Sequence, residues 1–391
     1  MSNTLFDETV AILERLIAFP TVSSDGNLAL ITYAAKVLSD LGARLTISND
    51  ISGQKANLFA SIGPDVPGGI VLSGHTDVVP VDPSEWTSDP FELREADGLY
   101  YGRGTCDMKG FIAAVLAILP DYAKLDLARP VHIALTYDEE VGCLGARQLA
   151  DELRQGDVKP SVCIIGEPTM MRVIEGHKGC YEYTTCFHGT DGHGSEPDKG
   201  VNAIHYAAKF MNRLLVLGEE LKKAPHAAGN RFSPPWTTVQ VGRIEGGSAR
   251  NVIARRCEVE WEMRPVRPED GDWVKAELEQ FCREELLPGM QAVFEEADIT
   301  TEIIGEVEGL QVADRNEARD IVTALTGDRL CDVVAFGTEA GLFQSLGMSV
   351  VVCGPGSISQ AHQPDEFISG EQLQACLNML EGLKSYLVKA A

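Results

Sequence analysis

Four short apolar runs of this chain lead into side chains that bind metals or move protons. GIVLSG (69–74) runs into His75-Thr76-Asp77, VHIALTY (131–137) into Asp138-Glu139-Glu140, and SVCIIG (161–166) into Glu167-Pro168. Beyond SVVVCG (349–354), the loop Gly354-Pro355-Gly356 continues to His362. A fifth acid, Asp107, stands in Gly102-Arg103-Gly104-Thr105-Cys106-Asp107-Met108-Lys109-Gly110, just ahead of a helix. Singly, each is ordinary. A histidine at a strand end is usually a surface or core residue, and a Glu-Glu pair usually opens a solvated helix. Their recurrence after each buried run is what points to chemistry. Carboxylates crowded into one pocket repel, and some would have to stay protonated. Divalent cations remove that cost. Two His, one Asp and two Glu exceed a three-ligand zinc site and suit a pair of cations sharing one carboxylate. The charges agree: two divalent cations against Asp107, Glu140, Glu167 and a hydroxide leave a neutral cluster, which a buried site tolerates.

Such a site needs a scaffold that brings strand ends together. The runs are apolar on both faces, the mark of a sheet covered by helices on both sides. GFIAAVLAIL (110–119) and EARDIVTAL (317–325) supply helices, and Phe6, Val10, Leu13 and Ile17 recur near a 3.6 period before Pro20. The fold class is α/β, with a mainly parallel mixed sheet. In such sheets ligands bind outside the carboxyl ends of the strands. From about 181 to 296 the pattern changes. YEYTTCFHG, TTVQVGRIEG, CEVEWEMRP and QAVFEEADI alternate, while NAIHYAAKFMNRLLVL and DWVKAELEQFCREEL are helical. The order is βαββαβ, a small α+β domain (181–296) inserted into a discontinuous catalytic domain (1–180 and 297–391).

The whole-chain numbers bound the class. The 391 residues are 44% hydrophobic, enough apolar content to offset the ordering entropy, and their length suggests two domains. Lys and Arg total 33 against 58 Asp and Glu, a formal charge of −25, and no cationic footprint for nucleic acid or an anionic membrane is present. No apolar run reaches the ~18 residues of a membrane helix. The first residues lack the basic and apolar regions of a signal peptide. Ten cysteines are scattered without a C-x-x-C pair, which disfavours zinc knuckles and a disulfide scaffold. A cytoplasmic enzyme is expected. A dinucleotide-binding reading fails, because Gly102-x-Gly104 lacks the third glycine and does not follow the first strand.

The motifs Ser73-Gly74-His75-Thr76-Asp77-Val78-Val79-Pro80, Gly102-Arg103-Gly104 to Asp107-Met108-Lys109-Gly110, Asp138-Glu139-Glu140 and Gly166-Glu167-Pro168-Thr169 come in this order. Here the sequence resembles the co-catalytic zinc aminoacylase and peptidase family, over essentially the whole chain. The resemblance implies a zinc-peptidase-like fold whose inserted domain serves as lid and dimerisation surface. It implies two divalent cations, Zn²⁺ with Co²⁺ as the alternative: His75 and Glu167 on one, His362 and Glu140 on the other, Asp107 bridging. By the same resemblance Asp77 holds the His75 ring from behind. Glu139 is the general base toward a metal-bridging hydroxide, and a cis peptide follows Asp107. In the inserted domain, Gly192-His193-Gly194-Ser195 resembles the segment whose histidine donates to the tetrahedral oxyanion in the partner subunit's site. Asn251 and Arg264 match substrate-binding positions, Arg264 pairing with an α-carboxylate. His132 and His205 read as structural, and His177 is open.

Within that family, Gly354-Pro355-Gly356-Ser357-Ile358, Gln360-Ala361-His362-Gln363-Pro364-Asp365-Glu366, Gly176-His177-Lys178-Gly179, Glu85-Trp86-Thr87, Asp89-Pro90-Phe91 and Gly337-Thr338-Glu339-Ala340 resemble the acetylornithine deacetylase branch. The implied reaction is hydrolysis of N²-acetyl-L-ornithine to L-ornithine and acetate, in arginine biosynthesis. The implied partners are a small N-acyl amino acid and a second copy of the chain. Succinyl-diaminopimelate, an acyl-citrulline or a dipeptide are the alternative substrates.

Overall fold

The computed structural model describes residues 4–388. Two compact units emerge: one holds the chain up to Gly176, Leu310–Asp332 and Thr338 onward, the other His177–Gly309 and Val333–Gly337. The strands, in chain order, are β1 (Arg44–Asn49), β2 (Ala56–Ile62), β3 (Ile70–His75), β4 (Arg94–Ala96), β5 (Leu99–Tyr101), β6 (Val131–Thr136), β7 (Val162–Pro168), β8 (Ile174–His177), β9 (Cys180–His188), β10 (Thr238–Gly246), β11 (Arg256–Arg264), β12 (Asp298–Val307), β13 (Asp332–Val334), β14 (Ser349–Gly354) and β15 (Phe367–Ser369).

The first unit is built on an eight-stranded sheet of order β1-β2-β6-β3-β7-β14-β8-β13. Its centre, β6-β3-β7-β14, is parallel, while β1 and β2 add antiparallel on one side and β8 pairs β14 antiparallel on the other. The sheet is therefore mixed, with a parallel core. β2, β3, β6 and β7 are buried at every position, as their mostly apolar sequences favour. Helix Gly110–Tyr122 is buried along nearly its whole length. β7 can approach it because Gly166 has no side chain: a Cβ there would stand 2.0 Å from the Phe111 ring. Among the described residues, no helix is long and apolar enough to cross a membrane.

The second unit carries a four-stranded antiparallel sheet, β10-β11-β9-β12. Burial alternates along β9 and β11, so Tyr181, Tyr183, Phe187, Val259, Trp261 and Met263 face inward. Helices Ala203–Lys223 and Pro268–Phe281 contribute Ala207, Phe210, Leu214, Val274 and Leu278 to the same core. Tyr183 stacks on Trp261 with ring centroids 4.4 Å apart.

One strand lies elsewhere than its alternation suggested. Of QAVFEEADI, expected as a strand that begins before residue 296, Gln291 ends a helix, 292–297 is a loop, and only Asp298 and Ile299 lie in a strand. The strand itself is Asp298–Val307, paired with β9 along its length, so the second unit extends past 296. Met290, Phe294 and Ala297, spaced four and three apart, pack into one cluster while Val293 is half exposed, so burial there follows no two-residue period.

Candidate metal centre

His75 is the last residue of β3 and is 1% exposed. Its ring Nδ1 lies 2.9 Å from the main-chain carbonyl of Asp77 and 3.5 Å from that residue's carboxylate. The carbonyl is the nearer acceptor, which puts the proton on Nδ1 and leaves Nε2 as the ligating nitrogen. Asp77 thus stands behind the His75 ring with both its carbonyl and its carboxylate. The Asp77 carboxylate also serves the next strand end. It accepts the N–H of Glu139 at 3.0 Å, the N–H of Glu140 at 3.3 Å and the Ser23 hydroxyl at 2.7 Å. One side chain thereby fixes the turn after β6 against the turn after β3.

Asp107 lies in an irregular turn, Thr105–Lys109, with non-helical dihedrals at Asp107 and Met108 and a cis peptide between them. Its two carboxylate oxygens face different histidines. Oδ1 is 2.9 Å from His75 Nε2 and Oδ2 is 3.4 Å from His362 Nε2. Glu140 lies 3.1 Å from His362 Nε2, and Glu167, at the end of β7, 3.8 Å from His75 Nε2. The ligand atoms of His75, Asp107 and Glu140 fall within 4.8 Å of one another, as do those of His75, Glu139 and Glu167. All seven unit-one residues singled out in the sequence, His75, Asp77, Asp107, Glu139, Glu140, Glu167 and His362, are thus brought to one place.

The electrostatics show what such a place requires. Burial, the Asp107 charge and their mutual repulsion push Glu140 and Glu167 up from the usual carboxylate range. Burial pushes Glu139 up as well, against the charge of His75. Burial would press His75 down, but hydrogen bonds to Asp107 and Asp77 and the Glu167 charge hold it well above its usual value. His362, half exposed, is raised to about 10 by Asp107 and Glu140. Carboxyls forced up beside imidazoles forced up are groups competing for too little positive charge, and divalent cations fit this donor set.

Two buried acids of this unit were quoted in the sequence motifs without a role. Glu366 accepts the N–H groups of Gly104, Cys106 and Asp107. Glu339 accepts the hydroxyls of Ser73 at 2.5 Å and Thr136 at 2.8 Å, just before the ends of β3 and β6. Only their motif company marked them in the sequence. His132 is structural: its Nδ1 pairs with Ser61 at 2.8 Å and burial lowers its pKa to about 4.

In the second unit, His193 and Asn251 stand on paired loops. The N–H of Gly194 donates to the Asn251 carbonyl at 2.8 Å, and His193 bridges Val252. The Ser195 N–H donates to Nδ1 of the exposed His193 at 3.2 Å, and the Ser195 hydroxyl lies 2.6 Å from the same nitrogen, so Nε2 is the ring nitrogen these contacts leave for a ligand. Arg264 is not beside them. It closes β11, whose other end adjoins these loops, roughly 27 Å away at ~3.4 Å per residue. Its guanidinium already pairs with Glu262 at 2.7 Å, so a substrate carboxylate would share it. His177 is fully buried, its Nδ1 2.8 Å from the Lys178 carbonyl, and burial lowers it to about 4, so it stays neutral. His205 lies on the helix surface.

Residues 71–384 match peptidase family M20/M25/M40. The chain is 37% identical over 378 residues to acetylornithine deacetylase of Pasteurella multocida (strain Pm70), covering 94% of this chain and 95% of that one. It is 36% identical over 367 residues to acetylornithine deacetylase of Shigella sonnei (strain Ss046), covering 92% of each. Among solved structures, an M20 family metallo-carboxypeptidase from Sulfolobus solfataricus superimposes with a TM-score of 0.74 at 20% identity, covering 97% of this chain and 99% of that chain. A dinuclear metal binding peptidase of the M20 family from Bacillus subtilis superimposes with a TM-score of 0.65 at 15% identity, over 98% and 99%.

Proposed function

The chain belongs to peptidase family M20/M25/M40 and is a hydrolase acting on amide bonds, and on that premise we propose that it hydrolyses N²-acetyl-L-ornithine to L-ornithine and acetate. The observation that carries the reading is Asp107, whose two oxygens face two histidines at 2.9 and 3.4 Å. A carboxylate so placed can be shared by two cations, and this supports a site for a pair of them. The ornithine derivative is supported by the names of the two relatives above, each aligned over more than 90% of its length.

Zn²⁺ or Co²⁺ held by His75 and Glu167, by His362 and Glu140, and by Asp107 between them would polarise the acyl carbonyl and lower the pKa of water. The rest is the chain's own work. Glu139, its carboxyl beside His75 and Glu167, takes the proton of the attacking water and hands it to the departing amine. Its raised affinity for protons suits a base that must keep the proton until the amine leaves. Asp77 holds the Glu139 main chain, so the base does not drift from the water it serves. His193 donates from Nε2 to the tetrahedral oxyanion, a contact of ~3–4 kcal/mol in barrier. Asn251 joins it from the paired loop, and Arg264 takes the α-carboxylate in a bidentate pair.

His193 and Asn251 sit at one end of β11 and Arg264 at the other. A homodimer in which one copy lends the histidine loop to the other's site accounts for both, and is part of the proposal. The chain works in the cytoplasm, a compartment in which buried thiols such as Cys163, Cys353 and Cys376 stay reduced.

The test is amide hydrolysis by zinc-reconstituted protein on N²-acetylornithine, succinyl-diaminopimelate, an acyl-citrulline and a dipeptide, each with and without chelator. Chelator-sensitive release of ornithine, at a kcat/KM about a hundredfold above the others, is the expected result. Faster turnover of another substrate would keep the site and replace the substrate.

A further inference from the structure

In the turn that carries Asp107 the N–H groups of Thr105 and Lys109 donate to the Gly102 and Gly104 carbonyls, whereas those of Gly104, Cys106 and Asp107 donate to a side chain, Asp107 and Met108 departing from helical dihedrals just before helix Gly110–Tyr122. Donors left over at a helix start are normally met by a nearby cap. Here the cap comes from about 260 residues away. Glu366, 1% exposed, accepts the N–H of Cys106 at 2.8 Å and that of Asp107 itself at 3.0 Å on Oε1. On Oε2 it accepts the N–H of Gly104 at 3.0 Å and the Arg103 guanidinium at 2.7 Å.

The same carboxylate stands four residues after His362, in a loop where His362 and Asp365 have φ of 62° and 52°. Two further contacts hold that loop. Arg103 reaches the Gln363 carbonyl at 3.3 Å while its guanidinium packs over the Trp86 ring at 5.2 Å. Asp365 accepts the N–H and the hydroxyl of Thr87, both at 2.9 Å. His362 is half exposed and is not the end of a buried strand, so little else determines where its ring stands.

We propose that Glu366 is a positioning residue that sets the distance between the two cation positions, by tying the main chain of the bridging Asp107 to the loop that presents His362. It touches neither substrate nor cation. It acts on the one acid that both positions share and on the histidine that no buried strand places. The carboxylate is suited to this because all its bonds are accepted ones. An amide at 366 would turn a donor toward at least one of Gly104, Cys106 or Arg103. The inference rests on the two-cation reading proposed above.

The experiment is stepwise Zn²⁺ titration of the chelator-stripped protein by calorimetry, with visible spectra of the Co²⁺ form, for the parent, Glu366→Gln and Arg103→Lys. The parent takes up two cations per chain. Glu366→Gln lowers the affinity of at least one step by about ten- to hundredfold and changes the Co²⁺ band intensities, as the loss of a ligand's outer support does. Arg103→Lys retains the carboxylate and its main-chain bonds, and lowers the weaker step by about threefold or more. It carries the test if Glu366→Gln does not fold. Affinities within threefold of the parent and superimposable Co²⁺ spectra would overturn the proposal, even with a lowered Tm, since that outcome describes a merely structural residue. A parent chain that takes up fewer than two cations would overturn the two-cation reading, and the tie with it.

Discussion

Asp77 and Glu139 divide the labour at the end of β3 and β6. The first holds main chain, with its carbonyl toward His75 and its carboxylate toward the Glu139–Glu140 turn. The second presents a carboxyl beside His75 and Glu167. If Glu139 is the proton carrier and not a ligand, Glu139→Ala keeps both cations while turnover falls by about 10²- to 10⁴-fold. Metal analysis alongside kcat checks this, and a loss of cation in step with activity would make Glu139 a ligand instead. At this scale the sequence was informative where a residue type is costly without a purpose. Acids and histidines at or just after the ends of buried strands are such residues, and five of them, His75, Asp77, Glu139, Glu140 and Glu167, converge with Asp107 and His362, which come from a turn and a loop. Glu366 and Glu339 were not legible as supports, because what they do depends on N–H and hydroxyl groups brought near from 200 residues away or more. No local pattern encodes a partner at that separation.

The elements were legible in proportion to how fully they are buried. β3, β6, β7 and β14 announce themselves as unbroken apolar runs, since both faces are covered. β1, with exposed and half-exposed positions at the sheet margin, carries no such mark. The contact of β7 with helix Gly110–Tyr122 gives a test of how tightly Glu167 is placed. Gly166→Ala sets a methyl 2.0 Å from the Phe111 ring, so β7 or the helix must shift. A stability loss of about 1–3 kcal/mol is expected, with weaker cation binding because Glu167 is the next residue. Denaturant melts and metal titration read both effects. β6 carries a second test. His132 is buried with a pKa near 4, against ~6.5 unfolded. Between those values the unfolded chain binds a proton that the folded chain refuses, so stability falls as pH drops through the window. The shift corresponds to about 3 kcal/mol at most. His132→Gln should flatten the fall between pH 6.5 and 4, measured as the difference in unfolding free energy between variant and parent. His177 is shifted the same way and remains in both proteins.

For the molecule as a whole, the separation of Arg264 from His193 and Asn251 along β11 makes oligomeric state a catalytic question. Glu139→Ala and His193→Ala should each be nearly inactive alone. If the histidine serves the partner's site, mixing the two and allowing exchange restores one intact site in each mixed dimer, about a quarter of parental activity. If it serves its own site, mixing restores nothing. Light scattering on the same samples gives the assembly state.

The strand order has a further consequence, in time rather than in space. β14 occupies an interior position of the sheet, between β7 and β8, yet about 180 residues separate the end of β7 from its start. At roughly 5–20 residues per second of synthesis, the ribosome takes on the order of 9–36 s to deliver it. Throughout that interval the emerging chain contains a gap in its main sheet, with the parallel edge of β7 unpaired, and by its end all of the second unit has been made. His362 and Glu366 are translated later still. The nascent protein thus passes through a stage in which one unit can be complete and the other is an open template for foreign strands, and its dependence on chaperones should be concentrated there.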